Sequence, residues 1–295
     1  MSIPEDYFKA GRIASKVRNE IRERVRVGMS YLEIAETVEN MTRSNGGEPA
    51  FPCNICPDRV AAHYTPVLND EKVVEKGVLL KIDMGVHVNG FLVDTATTIS
   101  FNPEYDGIAM AAEHVLQEAV KAVREGVRAG DIGRIISSAT SCWGFRTIRN
   151  LSGHMIEPYT IHAGFSIPNV WVAGTQELKT AQVYAIEPFL TLQEGSGLVV
   201  DSETRNIFSI IARKKTGDAR LDEFLKDAWT QFRTLPFASR YFKDINQKEL
   251  DNMISRLLKL KVLRSYPVLV EAKAMPVAQA EHTIAVSKDG AVILT

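Results

Sequence analysis

The stretch "KIDMGVHVNGFLVD", Lys81 to Asp94, constrains the fold more than any other part of the chain. Val78, Leu79 and Leu80 lead into it, and the pattern around Asn89-Gly90 predicts a β-hairpin from Val78 to Ser100 with a two-residue turn. Such a turn sets Val88 opposite Phe91 and Asp83 opposite Ala96. Asp94 lies two positions from Ala96, so both carboxylates fall on one face as diagonal neighbours, with Cα atoms roughly 7–8 Å apart. Like charges that close repel, and call for a cation or a shared proton. The alternative is that one aspartate accepts in a turn and the other is solvated. The hairpin alone does not choose between them.

The remaining pattern surrounds this hairpin with helices and further strands. Pro4 and Ser2-x-x-Glu5 open a helix whose apolar positions are Ala10, Ala14, Val17, Ile21 and Val25, and Gly28 ends it. Ser30-x-x-Glu33 opens a second helix, stopped by Asn45-Gly46-Gly47. Residues 51–66 read as loop and short strand. Helices are expected at Ile108–Glu125 and Asp131–Cys142, and strands and turns from Gly153 to Gly197. Residues 203–270 change character: Leu250, Met253, Ile254 and Leu257 mark a helical subdomain inserted between 1–202 and 271–295. "EHTIAVSKDGAVILT" predicts a last hairpin turning at Asp289-Gly290. Mixed strands and helices place the chain in the α+β class.

Composition excludes several function classes. With 295 residues, 45% of them hydrophobic, the chain can build a sizeable core. Lys+Arg at 35 against Asp+Glu at 36 leaves no global field for nucleic acid or membrane. No apolar run is long enough to span a bilayer, and the N-terminus lacks a signal-peptide order. Three cysteines suggest no disulfide framework, so a soluble, cytoplasmic protein is expected. Cys53 and Cys56 in "CNIC" lack the second pair of a zinc ribbon, and Cys142 reads as packing. Arg213, Lys214 and Lys215 read as a solvated surface. His87, His114 and His282 read as structural or surface residues, with His282 pointing away from Glu281.

Four further residues repeat the puzzle of the hairpin. "LSGHMIEPYTIHAG" holds His154 and His162, eight residues apart; a straight strand would put them on one face, but Pro158 and the glycines bend the path. "VYAIEPF" puts Glu187 after an apolar strand, and "AQAEHTIAV" puts Glu281 at the start of another. A carboxylate there is costly unless paired or metal-bound. Each alone also fits a salt bridge or a strand edge. If Asp83, Asp94, His154, Glu187 and Glu281 converge, two divalent cations neutralise their four negative charges. Such oxygen-rich ligands suit Mn, Co, Fe or Zn, and the absence of thiolate argues against a structural zinc. Spacing does not establish the convergence.

With "AAHYTP", "GHMIEPYTIHAG", "YAIEPF" and "AEHTI" in order around the hairpin, the chain resembles the type 2 methionine aminopeptidases of the pita-bread fold. The insert at 203–270 resembles the helical insertion of type 2 enzymes, and the lack of a long charged N-terminal extension resembles the short archaeal form. The segment "EPFLTLQEGSG" is longer than the family pattern. The resemblance implies two divalent ions: Asp83 binds one bidentately, Asp94 and Glu281 bridge, and His154 and Glu187 complete the other. It implies that the ions activate a bridging water or hydroxide. His63 and His162 are its non-ligand active-site histidines, the first near the substrate N-terminus and the second on the scissile carbonyl. Phe51, Ile161 and Tyr266 line its methionine pocket, and Glu187 shuttles a proton to the leaving amine. The implied activity is removal of initiator methionine from nascent polypeptides with a small second residue, by a monomer in transient reach of the ribosome. Rival readings are an Xaa-Pro aminopeptidase or dipeptidase of the same fold, and a non-catalytic binding homologue, which is expected to have lost ligands.

The chain begins Met1-Ser2 and so resembles that substrate class itself. Intact-mass measurement on native material is expected to find Met1 removed.

Overall fold

The computed structural model describes residues 3–295. Met1 and Ser2, with the capping expectation placed on Ser2, lie outside the described residues. Helix α1, Glu5–Arg24, follows Pro4 without a side-chain cap and buries Ala10, Ala14, Val17 and Ile21. Helix α2, Tyr31–Ser44, is capped as expected: the Ser30 hydroxyl accepts from the Glu33 N–H at 3.0 Å. Helix α3, Asp106–Lys121, starts before Ile108 and stops short of Glu125, and α4 covers Ala129–Cys142. Cys142 departs from expectation. It is exposed, because the buried stripe of α4 runs through Ile132, Ile136 and Thr140 and leaves the last residue outside it.

The central hairpin forms in the register its turn demands. Strands Leu79–Val88 and Phe91–Ser100 pair Val88 with Phe91, Gly85 with Asp94 and Asp83 with Ala96. Asn89 and Gly90 have φ of +52° and +87°, the left-handed pair that a type I′ turn requires. The hairpin sits in a sheet ordered Glu48–Pro49, Leu79–Val88, Phe91–Ser100, Glu281–Val286, Val183–Ile186, Ser152–Ile156, Ser166–Pro168. Asn54–Pro57 also pairs with Leu79–Val88, and Ala291–Ile293 pairs with Glu281–Val286, giving the expected last hairpin.

Period-two alternation divides the sheet into two faces. Ile82, Met84 and Val86 join one buried cluster with Ala14, Val17 and Ile21 of α1 and Ile34 of α2. Tyr184, Ile186 and Ile284 join another with Val115 of α3 and Ile136 of α4. The helices therefore cover one face, and the alternate residues, Asp83 among them, look out of the other.

Residues from Phe208 to Leu263 form a separate buried cluster. Helices α5, Ala219–Phe232, and α6, Gln247–Lys259, bury Leu221, Phe224, Leu250, Met253 and Leu257 around Phe237. Beyond the helices, the segment holds a three-stranded sheet ordered Phe237–Ala238, Ile207–Ile210, Leu263–Tyr266. These strands are too short to show a period, and only pairing defines them.

One buried ion pair ties this segment to α2. Arg240, 2% exposed, binds the carboxylate of Glu39 on α2, 3% exposed. Arg240 also donates to Thr65 Oγ1 at 2.5 Å and to the Pro66 carbonyl at 3.1 Å. Glu39 accepts from the Tyr241 hydroxyl at 2.7 Å and from the Cys53 N–H at 3.1 Å. Removing one partner strands the other charge, which costs about 3–5 kcal/mol. Glu39→Leu and Arg240→Leu singly are expected to lower stability by about that much in urea unfolding. The double variant should lose less than the sum of the two, and strict additivity would contradict the pairing.

Candidate metal centre and substrate cavity

Five neighbouring strands of the main sheet each carry or deliver one ligand-type residue. Ala96 pairs with Asp83 on one side and Glu281 on the other, so two carboxylates flank a methyl group in one row. Asp94 lies two residues along the strand of Ala96. Ile186 pairs with His282, so Glu187, the next residue, falls beside Glu281. His154 pairs with Ala185, two residues before Glu187. Parity places all five on the face away from the helices.

Their side chains meet. His154 Nε2 lies 3.6 Å from Asp94 Oδ2 and 3.6 Å from Glu187 Oε1. Asp94, His154 and Glu281 present ligand atoms within 4.8 Å of one another. A hydrogen bond would be shorter. Ligand atoms sharing a cation at about 2.0–2.2 Å each stand roughly 3–4 Å apart. Asp83 Oδ1, Asp94 Oδ1 and Glu281 Oε1 are buried with no hydrogen-bond partner. Lys81 offers no counter-charge, since its ammonium is turned to the Asp58 carbonyl at 2.7 Å. Burial, with mutual repulsion, pushes the carboxyls of Asp83, Glu187 and Glu281 well above their usual range. Burial pushes Asp94 up to about 7 and His154 down to about 4. Unpaired oxygens, one imidazole and no neutralising cation among the described residues fit a site for divalent metal.

The cavity beside this cluster, about 70 Å³, brings the rest of the expected residues together. Phe51, His63, Ile161, His162 and Tyr266 line it with the five above. Phe51 seats on the hairpin because Gly85, opposite Asp94, has no side chain; a Cβ there would overlap the Phe51 ring. His162 reaches His154 by a turn: Glu157 N–H donates to the Thr160 carbonyl and Ala163 N–H to the Met155 carbonyl. The two rings stand 4.3 Å apart between centroids. His63, at φ +67°, faces the Pro267 carbonyl through Nδ1 at 3.0 Å and meets the Tyr266 ring edge-on at 5.7 Å. A carbonyl only accepts, so Nδ1 carries the proton and Nε2 is left as an acceptor. Burial holds His63 below its ordinary pKa, and burial with the nearby His154 takes His162 down to about 3. Both imidazoles are neutral at pH 7.

Four residues of the site lie outside the sequence expectation. Asn54 Nδ2 donates to Asp83 Oδ2 at 2.9 Å, and the Gln279 amide reaches Glu187 and Glu281 at 3.4 and 3.3 Å. These amides hold the outer oxygens and leave the inner ones free. Ile207 and Pro236 of the insert extend the apolar wall. Asn54 sits inside "CNIC", where the cysteines drew the reading, and both cysteines are simply buried. His282 points away from Glu281 as expected, toward Arg18 and Thr295. His87 accepts from the Gly90 N–H, and His114 pairs with Trp143. A larger cavity, about 560 Å³, lies between α2 and the insert, lined by Glu36, Glu39, Arg240 and Lys243, which are already ion-paired.

A sequence model described as "Metallopeptidase family M24" matches residues 5–212. The chain belongs to that family, among its methionine aminopeptidases. A methionine aminopeptidase of Saccharolobus solfataricus is 40% identical over 289 residues, covering 97% of this chain and 95% of the relative. One of Thermococcus onnurineus is 39% identical over 293 residues, covering 99% of each. Among solved structures, methionine aminopeptidase from Thermotoga maritima superposes with a TM-score of 0.72 at 21% identity, covering 100% of this chain and 98% of that one. A thermophilic Arx1 reaches a TM-score of 0.84 at 16% identity, covering 99% and 91%. The prolidase from Pyrococcus furiosus reaches 0.61 at 19%, covering 99% of this chain but 63% of its own. At such identities the structures establish the shared pita-bread fold. Family membership adds divalent-metal use.

Protonation of the cluster sets a pH dependence for the metal-free protein. Asp94 titrates near 3.8 when unfolded and near 7 when folded, so the folded state holds the extra proton between these values. The contribution of Asp94 to the stability of the metal-free protein is therefore full below about pH 4 and lost as pH rises through about 7. Added Mn or Co is expected to raise Tm more at about pH 7.5 than at about pH 5, because binding must displace those protons. A flat profile with equal increments would contradict the assignment.

Proposed function

We propose that the chain removes the initiator methionine from polypeptides whose second residue is small. The observation that carries this reading is the junction of two unlike surfaces in one cavity. Five metal-ligand side chains form one wall, and Phe51, Ile161, Tyr266, Ile207 and Pro236 line the cavity with them. The ligand set suits a free amine and a peptide carbonyl. The apolar surface suits an unbranched thioether side chain. Full-length relatives at about 40% identity bear the name methionine aminopeptidase, whereas the prolidase likeness covers only 63% of that chain. This favours methionine over Xaa-Pro substrates. Retention of every ligand favours an enzyme over a binding homologue.

Asp83, Asp94, His154, Glu187 and Glu281 would hold two divalent ions, with Co, Mn, Fe and Zn all compatible. When bound, such ions supply Lewis acidity that polarises the scissile carbonyl and lowers the pKa of an attacking water. The chain's residues do the rest. The apolar wall seats the methionine side chain, and a free α-amine at the carboxylates restricts cleavage to the first residue. His162 hydrogen-bonds the carbonyl oxygen as charge develops on it. His63, with Nε2 as acceptor, takes a hydrogen bond from an N–H near the substrate's N-terminus. Glu187 receives the water proton and passes it to the leaving amine. Residues 203–270 act as an inserted subdomain that closes the site through Ile207, Pro236 and Tyr266. A protein acting on nascent chains would work in the cytoplasm and in transient contact with ribosomes, and we take it to be a monomer.

Met-Ala peptides are expected to be cleaved far faster than Met-Lys or Xaa-Pro peptides after chelation and reloading with Mn or Co. Equal turnover of all three, or activity untouched by chelation, would sink the reading. Asp94→Ala is expected to lower kcat by at least about a hundredfold and to reduce bound metal, read by elemental analysis.

A further inference from the structure

The wall that the insert turns toward the cavity continues outward to an unclaimed cation. In the insert's sheet Tyr266 pairs with Ile207 and Arg264 with Ser209. Residues two apart on a strand share a face. Tyr266 and Ile207 line the cavity, so Arg264 and Ser209 extend the same face one step further along it. Ser209 Oγ lies 3.2 Å from the Tyr266 hydroxyl. Ser209 is buried and Arg264 exposed, so the wall reaches solvent at Arg264. Its guanidinium donates to the Tyr266 hydroxyl at 2.6 Å and lies over the Tyr266 ring, 4.8 Å from the centroid. No carboxylate among the described residues pairs with it. Tyr266 thus fixes a charged fork at the rim and leaves most of its five N–H donors free.

We propose that Arg264 is a specificity-determining residue that reads the charge of the polypeptide leaving the site. It favours an acidic side chain within the first few residues after the scissile bond and disfavours a basic one. The inference rests on the aminopeptidase reading, because it needs the methionine seated against Tyr266. From there an extended chain gains about 3.3 Å per residue. The residues just behind a small second residue therefore pass the rim within reach of an arginine side chain. Exposed charge pairs contribute modestly, so the discrimination is about two- to fivefold at low ionic strength. Salt weakens it.

The test compares amidated peptides Met-Ala-Glu-Ser, Met-Ala-Ser-Ser and Met-Ala-Lys-Ser on the metal-loaded full chain. Amidation removes the C-terminal carboxylate, which Arg264 would otherwise also bind. The ratio of kcat/KM for the Glu peptide over the Lys peptide is expected to exceed one in the native protein. It should approach one in Arg264→Met and fall below one in Arg264→Glu, with all three converging as salt rises. A general loss of activity cancels in this ratio. A ratio that does not fall in that order would overturn the role of Arg264. Failure of the native protein to cleave Met-Ala-Ser-Ser would instead overturn the aminopeptidase reading.

Discussion

Four carboxylates buried against one another set the central problem of this protein. Asp83, Asp94 and Glu281 are buried and Glu187 is partly so, no ammonium or guanidinium among the described residues pairs with them, and three of their oxygens have no partner. Burial alone would drive such groups to hold protons. The fold resists relaxation by tying each to a rigid ladder: Asp83, Asp94 and Glu281 sit within strands, and Glu187 and His154 follow from the next two. Asn54 and Gln279 then fix the outer oxygens by amide hydrogen bonds. What remains is a concave set of acceptors whose repulsion is relieved by held protons or by a multivalent cation. Stability lost when the carboxylates ionise together would be regained on binding a divalent ion.

The substrate side of the cavity depends on a different device. Its wall comes partly from the body, through Phe51 and Ile161, and partly from the insert, through Ile207, Pro236 and Tyr266. These parts have separate cores, so their relative placement needs a fastening. Glu39 and Arg240 supply it, and the same bonds reach Cys53, Thr65 and Pro66. Those residues bracket Asn54 and His63. The ion pair therefore links residues 203–270 to the segment that carries Asn54 and His63 of the cavity. The two neutral imidazoles add electrostatic order: His63 keeps an acceptor free while His162 stands against His154.

Much of this was legible in the chain, and the legible part has a common physical basis. The type I′ turn at Asn89-Gly90 fixes a register, and strand parity then puts Asp83 and Asp94 on one face. Capping by Ser30 and the stripe of α6 follow from equally local rules. The misses are of two kinds. Cys142 reads as packing on composition, but the end of α4 rotates it off the buried stripe. Asn54, Gln279, Ile207 and Pro236 carry ordinary residue types whose importance comes from partners far away in sequence. The strands of the insert are too short for any period to declare itself.

The sequence by itself determined the local geometry: the hairpin register, the helix positions and, through ordered motifs, the family whose site these residues resemble. Only the tertiary structure decided that the sheet runs Asp83, Asp94, Glu281, Glu187, His154 across neighbouring strands. Strand order depends on which edges pair, and partners as far apart in the chain as His154 and Ala185, or Ala96 and Glu281, leave no trace in local spacing. The same holds for the sheet of residues 207–266, where pairing sets Arg264 beside Ser209 and over the Tyr266 ring. Turn chemistry acts between neighbours in the chain, whereas convergence of charge is a property of the assembled sheet.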